Sequence, residues 1–215
     1  MTEVLKPAHS PTVWAWVDGW VISRNAPRPV REPWGLRVDV GLPGHVARHI
    51  VPAPTPEILH HLTTTLTRPG TWLKLCAPAE AVASYLPPAW TVKDREFMMT
   101  APLARTATPQ APPGYTLAIT TRAGVTAARL LTAAGEVAAR GQVAVAGSAA
   151  VVDQVETAAG HRRRGLGTII MHTLASTAAS RGARMGILVA TSDGQALYET
   201  VGWTLHTPMT AVVLT

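Results

Sequence analysis

One stretch constrains this chain more than any other: His161-Arg162-Arg163-Arg164-Gly165-Leu166-Gly167-Thr168-Ile169-Ile170. An apolar, β-branched run at 149–157 precedes it and reads as a strand. The apolar run that follows it, to about residue 180, reads as a helix. The unit is therefore strand, glycine-rich turn and helix start. Gly165 and Gly167 lack a Cβ, so their backbone N–H groups can closely approach an oxyanion. The helix start adds unpaired N–H donors and a partial positive charge. Three arginines add full charge and bidentate donors. Together these make a cradle for a pyrophosphate. Two other phosphate motifs do not fit. A P-loop needs GxxxxGK[ST], and no Lys-Ser or Lys-Thr follows these glycines. A dinucleotide fingerprint needs GxGxxG in a βαβ unit, but the third residue after Gly167 is Ile170.

The flanking sequence predicts a chain of two halves. In the second half, runs at 115–121, 125–133 and 137–146 read as strands of an antiparallel meander, with turns at Ala123-Gly124 and Ala134-Gly135. After the strand at 149–157 and its helix come a strand at 185–190, a short helix at 194–201 and a closing hairpin over 203–214. In the first half, 12–23 and 35–40 have strand-like apolar spacing, with Pro27, Pro29 and Pro33 in a loop between them. Thr55-Pro56-Glu57 is a helix start: a Thr cap, Pro at the first position and an acid in the first turn. That helix runs to about residue 67. A strand at 72–76, a short helix at 79–86 closed by Pro87-Pro88, and a strand at 90–100 follow. Residues 106–113, rich in Pro, Ala and Thr, read as a linker. Composition changes there, since six of the seven tryptophans and most of the prolines precede it. The expected division is an α+β unit at 1–105, the linker, and a unit at 114–215.

About 30 residues after the loop stands Ala196-Leu197-Tyr198-Glu199-Thr200-Val201-Gly202-Trp203. The second half thereby resembles the GNAT superfamily of acyltransferases. That family has a pyrophosphate loop of the form [Q/R]-x-x-G-x-[G/A], which Arg162 to Gly167 fit. It also has a later helix A-L-Y-E-x-x-G-[F/W], which residues 196–203 match at every fixed position. The resemblance covers 114–215. It implies an α+β fold, a mixed and mostly antiparallel sheet with flanking helices, and an N-acetyltransferase. The first half, which carries no phosphate motif, can be read as a degenerate copy of the same fold with a substrate-binding or structural role.

Roles carry over residue by residue. In the family the strand before the loop splays from its neighbour and the pantetheine arm lies in the gap. On that pattern Val155, Glu156 and Thr157 offer backbone groups to pantetheine, and the Val155 N–H points at the thioester carbonyl, where a fixed donor stabilises the developing oxyanion. The N–H groups of Arg163, Arg164, Gly165, Leu166, Gly167 and Thr168 hold the pyrophosphate. Arg162, Arg164 and the Thr168 hydroxyl are candidate side-chain contacts, and Arg163 a candidate for the adenosine phosphates. Tyr198 fits the general acid that protonates the leaving thiolate. The base departs from the pattern: the usual Glu position is Val151, which takes no proton. Asp153, two residues on and on the same face by strand alternation, is the nearest substitute, whereas Glu156 falls on the other face. A water relay is the alternative.

The remaining features bound the partners. The charge of +6 comes mostly from scattered arginines, and no nucleic-acid motif accompanies them, which argues against RNA as acceptor. Neither the single Cys76 nor the histidine spacing (His45, His49, His60, His61) makes a metal site. Neither a secretory leader nor an 18-residue apolar run is visible, so the expected setting is cytoplasmic, without membrane contact, as a monomer or homodimer. The resemblance implies acetyl-CoA as donor and a primary amine of a small molecule or protein as acceptor, the small molecule favoured. A longer acyl group, an acyl carrier protein as donor, and a non-catalytic acyl-CoA-binding sensor or interaction module are the alternatives.

Overall fold

The structure is a computed structural model that describes residues 10–107 and 109–215. The first element is a helix, α1 (Ser10–Arg24), where the sequence reading placed a strand. Val13, Trp16, Val17, Trp20 and Val21 are all buried, and their i, i+3, i+4, i+7, i+8 spacing is that of one helical face. Trp14 lies off that face and is only partly buried. It lent the run its strand-like alternation.

Three short strands follow, β1 (Val30–Glu32), β2 (Gly35–Val38) and β3 (Ala47–Val51). Helix α2 (Pro56–Thr65) starts as its Thr55-Pro56 signal predicts, with the Thr55 hydroxyl accepting from the Ile58 N–H. It leads to β4 (Thr71–Leu75), the short α3 (Ala79–Val82) with a 3₁₀ turn, and the long β5 (Trp90–Pro102). The second half contributes β6 (Tyr115–Arg122), β7 (Val125–Thr132), β8 (Val137–Ala146) and β9 (Ala149–Thr157). Then come α4 (Leu166–Ser180), β10 (Met185–Thr191), α5 (Ser192–Thr200) and β11 (Thr204–Leu214).

β11 is one strand, not a hairpin. It pairs antiparallel with β5 along its length, with register shifts between Leu205 and Thr207 and between Thr210 and Val212. Pro208 falls outside the 210–213 segment that pairs with β4, where β11 is bonded on one side only, a place in a sheet that tolerates a missing N–H.

The described residues form one eleven-stranded sheet in the order β1-β2-β3-β4-β11-β5-β10-β9-β8-β7-β6. From β1 to β7 this order is palindromic. β3 and β4 are parallel with α2 between them, and β9 and β10 are parallel with α4 between them. The last strand of each half lies beside the other half: β5 pairs with β10, and β11 with β4. The sheet is thus continuous across the proline-rich segment.

Three cores cover it. α4 packs on one face over Ala150, Val152, Leu130 and Leu188. α1 packs on the opposite face over Val151, Ile187, Met98 and Met209. α2 covers Leu73, Leu75 and Val212. A Cβ on Gly19 of α1 would lie 2.4 Å from the Val151 Cγ2, so the helix seats on β9 only because residue 19 has no side chain. α1 is thus a piece of the first half that roofs the second half's sheet. Among the described residues no helix is long and apolar enough to cross a membrane.

Candidate active site

The site begins where β9 and β10 part. They pair in parallel over only three steps, Ala149 with Met185, Ala150 with Gly186 and Val151 with Ile187. Beyond Val151 the ladder stops, though β9 continues to Thr157 and β10 to Thr191. The β10-facing edge of β9 is open there, and edge amides and carbonyls need partners.

A β-bulge reshapes β9 in the open stretch. Asp153 pairs with Gln142 and Glu156 with Arg140, so Gln154 and Val155 together oppose Gly141. Gln154 has φ of 55°, in the left-handed region. The extra residue reverses the alternation. Val151 and Asp153 lie on the α1 face, and Val155 packs with the α4 core. Glu156 therefore shares the α1 face, where Arg140 Nη2 donates to it at 2.7 Å. Simple alternation put Glu156 on the other face, and the bulge overturns that.

The glycine-rich turn closes the wide end of the gap. Arg163 and Gly165 both have positive φ, 58° and 72°. Backbone of this kind builds anion-binding nests. The first α4 bond runs from the Ile169 N–H to the Gly165 carbonyl at 3.2 Å, so the amides from Gly165 to Thr168 precede the ladder. A Cβ on Gly167 would touch Leu197 Cδ2 at 3.0 Å, so this glycine lets α4 and α5 approach. Thr191 caps α5 by accepting from the Gly194 N–H at 3.3 Å.

These elements enclose a cleft of about 530 Å³. Val155, Glu156, Thr157, Arg162, Arg163, Gly165, Leu166, Gly167, Thr168 and Tyr198 line it, ten residues singled out by the sequence. Arg164 does not line it. Its guanidinium ties the turn to β6, donating to the Tyr115 hydroxyl at 3.0 Å and to the Gly160 carbonyl at 3.2 Å. The sequence reading missed Thr191, Asp193, Gly194 and Leu197, which also line the cleft. A Thr three residues before the Gly in the first turn of a short helix was the available signal for the first of these.

Tyr198 is 8% exposed, and its ring lies against Gly194 and near Trp203. Among the described residues none hydrogen-bonds its hydroxyl. Burial, and secondarily the negative charge of Asp153, push its pKa up to about 12. The phenol therefore keeps its proton at any physiological pH.

Asp153 is not among the lining residues. Its carboxylate accepts from Arg24 Nε and Nη2 (2.5 and 2.8 Å), from the Ser23 hydroxyl at 3.0 Å and from the Gln154 N–H at 2.8 Å. Gln142 Nε2 donates to the Ser23 carbonyl at 2.7 Å. The C-terminal end of α1 is thus pinned to β8 and β9. Val151 is buried under α1, 1% exposed, and a longer acidic side chain there would collide with that helix.

Residues 102–203 match the model of the Acetyltransferase (GNAT) family. The fold of the described residues is the GNAT fold. A GCN5-related N-acetyltransferase from Kribbella flavida superposes with a TM-score of 0.66 at 16% identity, over 95% of this chain and 94% of the other. A GCN5-related N-acetyltransferase-like protein from Streptococcus suis does so with a TM-score of 0.61 at 12% identity, over 96% and 98%. Both likenesses run through the first half as well as the second. No curated protein matches the chain in sequence.

Proposed function

We propose that this protein transfers an acetyl group from acetyl-CoA to the primary amine of a small molecule, by direct attack in a ternary complex. One observation carries the reading: the β9–β10 gap opens onto the Arg163–Thr168 turn at one end and onto the Tyr198 helix alongside. The turn amides and Arg162 and Arg163 would hold the pyrophosphate and adenosine end. The open backbone of Val155 to Thr157 would bind the pantetheine arm as a strand, and the Val155 N–H would stabilise the oxyanion. The amine nitrogen forms its bond to the acetyl carbon as the carbon–sulfur bond breaks. The leaving sulfur takes its proton from the Tyr198 hydroxyl, and the proton shed by nitrogen goes to water. All four contacts of Asp153 are to donors, so we assign it to holding α1 on β9 and not to taking that proton.

We propose further that 1–105 is a degenerate second copy, with 106–113 joining it to the catalytic unit. The palindromic strand order supports this. In the first half β3 and β4 stay paired over five steps, Ala47 with Thr71 through Val51 with Leu75, so no gap opens. The turn into α2 carries Pro52, Pro54 and Pro56, which have no N–H to offer a phosphate. One donor site per chain follows. Turnover of acetyl-CoA with a panel of primary amines, followed by thiol release, tests the activity. Acetylated amine is the expected product, and a folded protein that turns over no amine would refute the reading.

A further inference from the structure

A second cavity, of about 400 Å³, lies on the α1 side of the sheet, walled by Trp20, Arg24, Val40, Leu42, His45 and Arg48. Every one of these residues comes from the first half. Arg24 connects it to the reaction centre, lining the cavity while its guanidinium grips Asp153, two residues before Val155.

Its charge is unbalanced. Among the described residues no carboxylate lines it. The two carboxylates whose charge Arg48 feels, Glu96 and Asp153, are taken: Lys74 holds Glu96 at 2.6 Å, and Arg24 holds Asp153. Among the described residues no acid pairs with Arg48. Its guanidinium lies over the Trp20 ring, 4.6 Å from the centroid, and its Nε is buried without a hydrogen-bond partner. A half-buried guanidinium without a counter-ion is costly, and burial together with the Arg24 charge lowers its pKa. His45 is likewise shifted toward its neutral form by burial and by the charges of Arg48 and Lys74, so it adds no competing cation.

We propose that this cavity is the acceptor site and that the acceptor is an amino acid, a primary amine whose carboxylate docks on Arg48. The proposal rests on the acetyltransferase reading above. The planar guanidinium fork matches a carboxylate bidentately. Trp20, Val40 and Leu42 offer an apolar wall for the carbon skeleton, and the amine end is then directed past Arg24 toward β9.

Matched pairs test it: phenylalanine against phenethylamine, tryptophan against tryptamine, 6-aminohexanoate against hexylamine. Each is titrated calorimetrically into the full chain with CoA present, for the wild type, Arg48→Met and Arg48→Lys. Arg48→Met keeps the stem on Trp20 and removes the charge, and Arg48→Lys keeps the charge and removes the fork. At least one acid should bind tenfold or more tightly than its amine, lose that advantage in Arg48→Met, and retain part of it in Arg48→Lys. If no acid outbinds its amine, or if the preference survives Arg48→Met, the proposal is overturned. CoA affinity is read in separate titrations. Normal CoA binding without an acid preference defeats this inference alone, and absent CoA binding defeats the donor reading, leaving the acid preference to stand or fall on its own result.

Discussion

Replacing Tyr198 by Phe removes one hydroxyl and leaves the ring against Gly194 and Trp203. Among the described residues none bonds that hydroxyl, so folding stability should change by no more than about 1 kcal/mol. Catalysis should change far more. A general acid contributes roughly 10²–10⁴-fold, a barrier of about 3–5 kcal/mol, and the loss falls on kcat while KM for acetyl-CoA stays put. The pKa near 12 adds a second signature. At pH 8 only about one phenol in 10⁴ is ionised, so the acid is available across the usual range. The wild-type profile should show no loss of this group below about pH 10 and a fall as pH nears 12. Asp153 helps hold that pKa up, so Asp153→Asn should bring the limb to lower pH. Steady-state kinetics on purified Tyr198→Phe decide the matter. Near-normal kcat, or an unchanged alkaline limb, would refute the assignment and leave Tyr198 as a packing residue.

Gly165→Val should weaken CoA binding at least tenfold in a folded protein. Its φ of 72° costs an L residue about 1–2 kcal/mol, and a β-branched one resists it further, although nothing lies within 4 Å of the new Cβ; normal affinity by calorimetry would remove the turn from the site. His49 is 3% exposed, and burial, with the nearby Arg37 charge, lowers its pKa from 6.5 to about 4. Between those values the unfolded chain binds more protons, so stability should fall as pH drops from 6.5 to 4, by at most about 3 kcal/mol, and less in His49→Gln; denaturant titrations equally stable across that window would contradict it. Residues 112–215 alone should not fold, because β10 then lacks β5, β11 lacks both neighbours, and Val151 loses α1; a dispersed amide spectrum from that fragment would refute the shared sheet.

Where local backbone chemistry decides the structure, this sequence was readable. Gly165 and Gly167 announce the turn before α4, and the arginines the charge we assign to an anion, because their properties do not depend on distant partners. Tyr198 was legible only through the residues around it. What depends on long-range packing was not. The 12–23 run satisfies both the strand and the helix period, and only the sheet beneath it, with Gly19 over Val151, selects the helix. The bulge at Gln154 leaves no trace in composition, yet it decides which face Glu156 occupies. Asp153 stands where a base could stand, but its engagement by Arg24 and Ser23 spans 130 residues of sequence. The exchange of β5 and β11 between halves is a matter of topology, and so is the course of β11 as one strand where a hairpin was expected.

The most direct test of the central claim is a calorimetric titration of the full chain with CoA. Binding at one site per chain, lost or much weakened in Gly165→Val, is the result expected of a donor cleft built by the β9–β10 gap and the Arg163–Thr168 turn. No binding at millimolar CoA by a folded protein would contradict it.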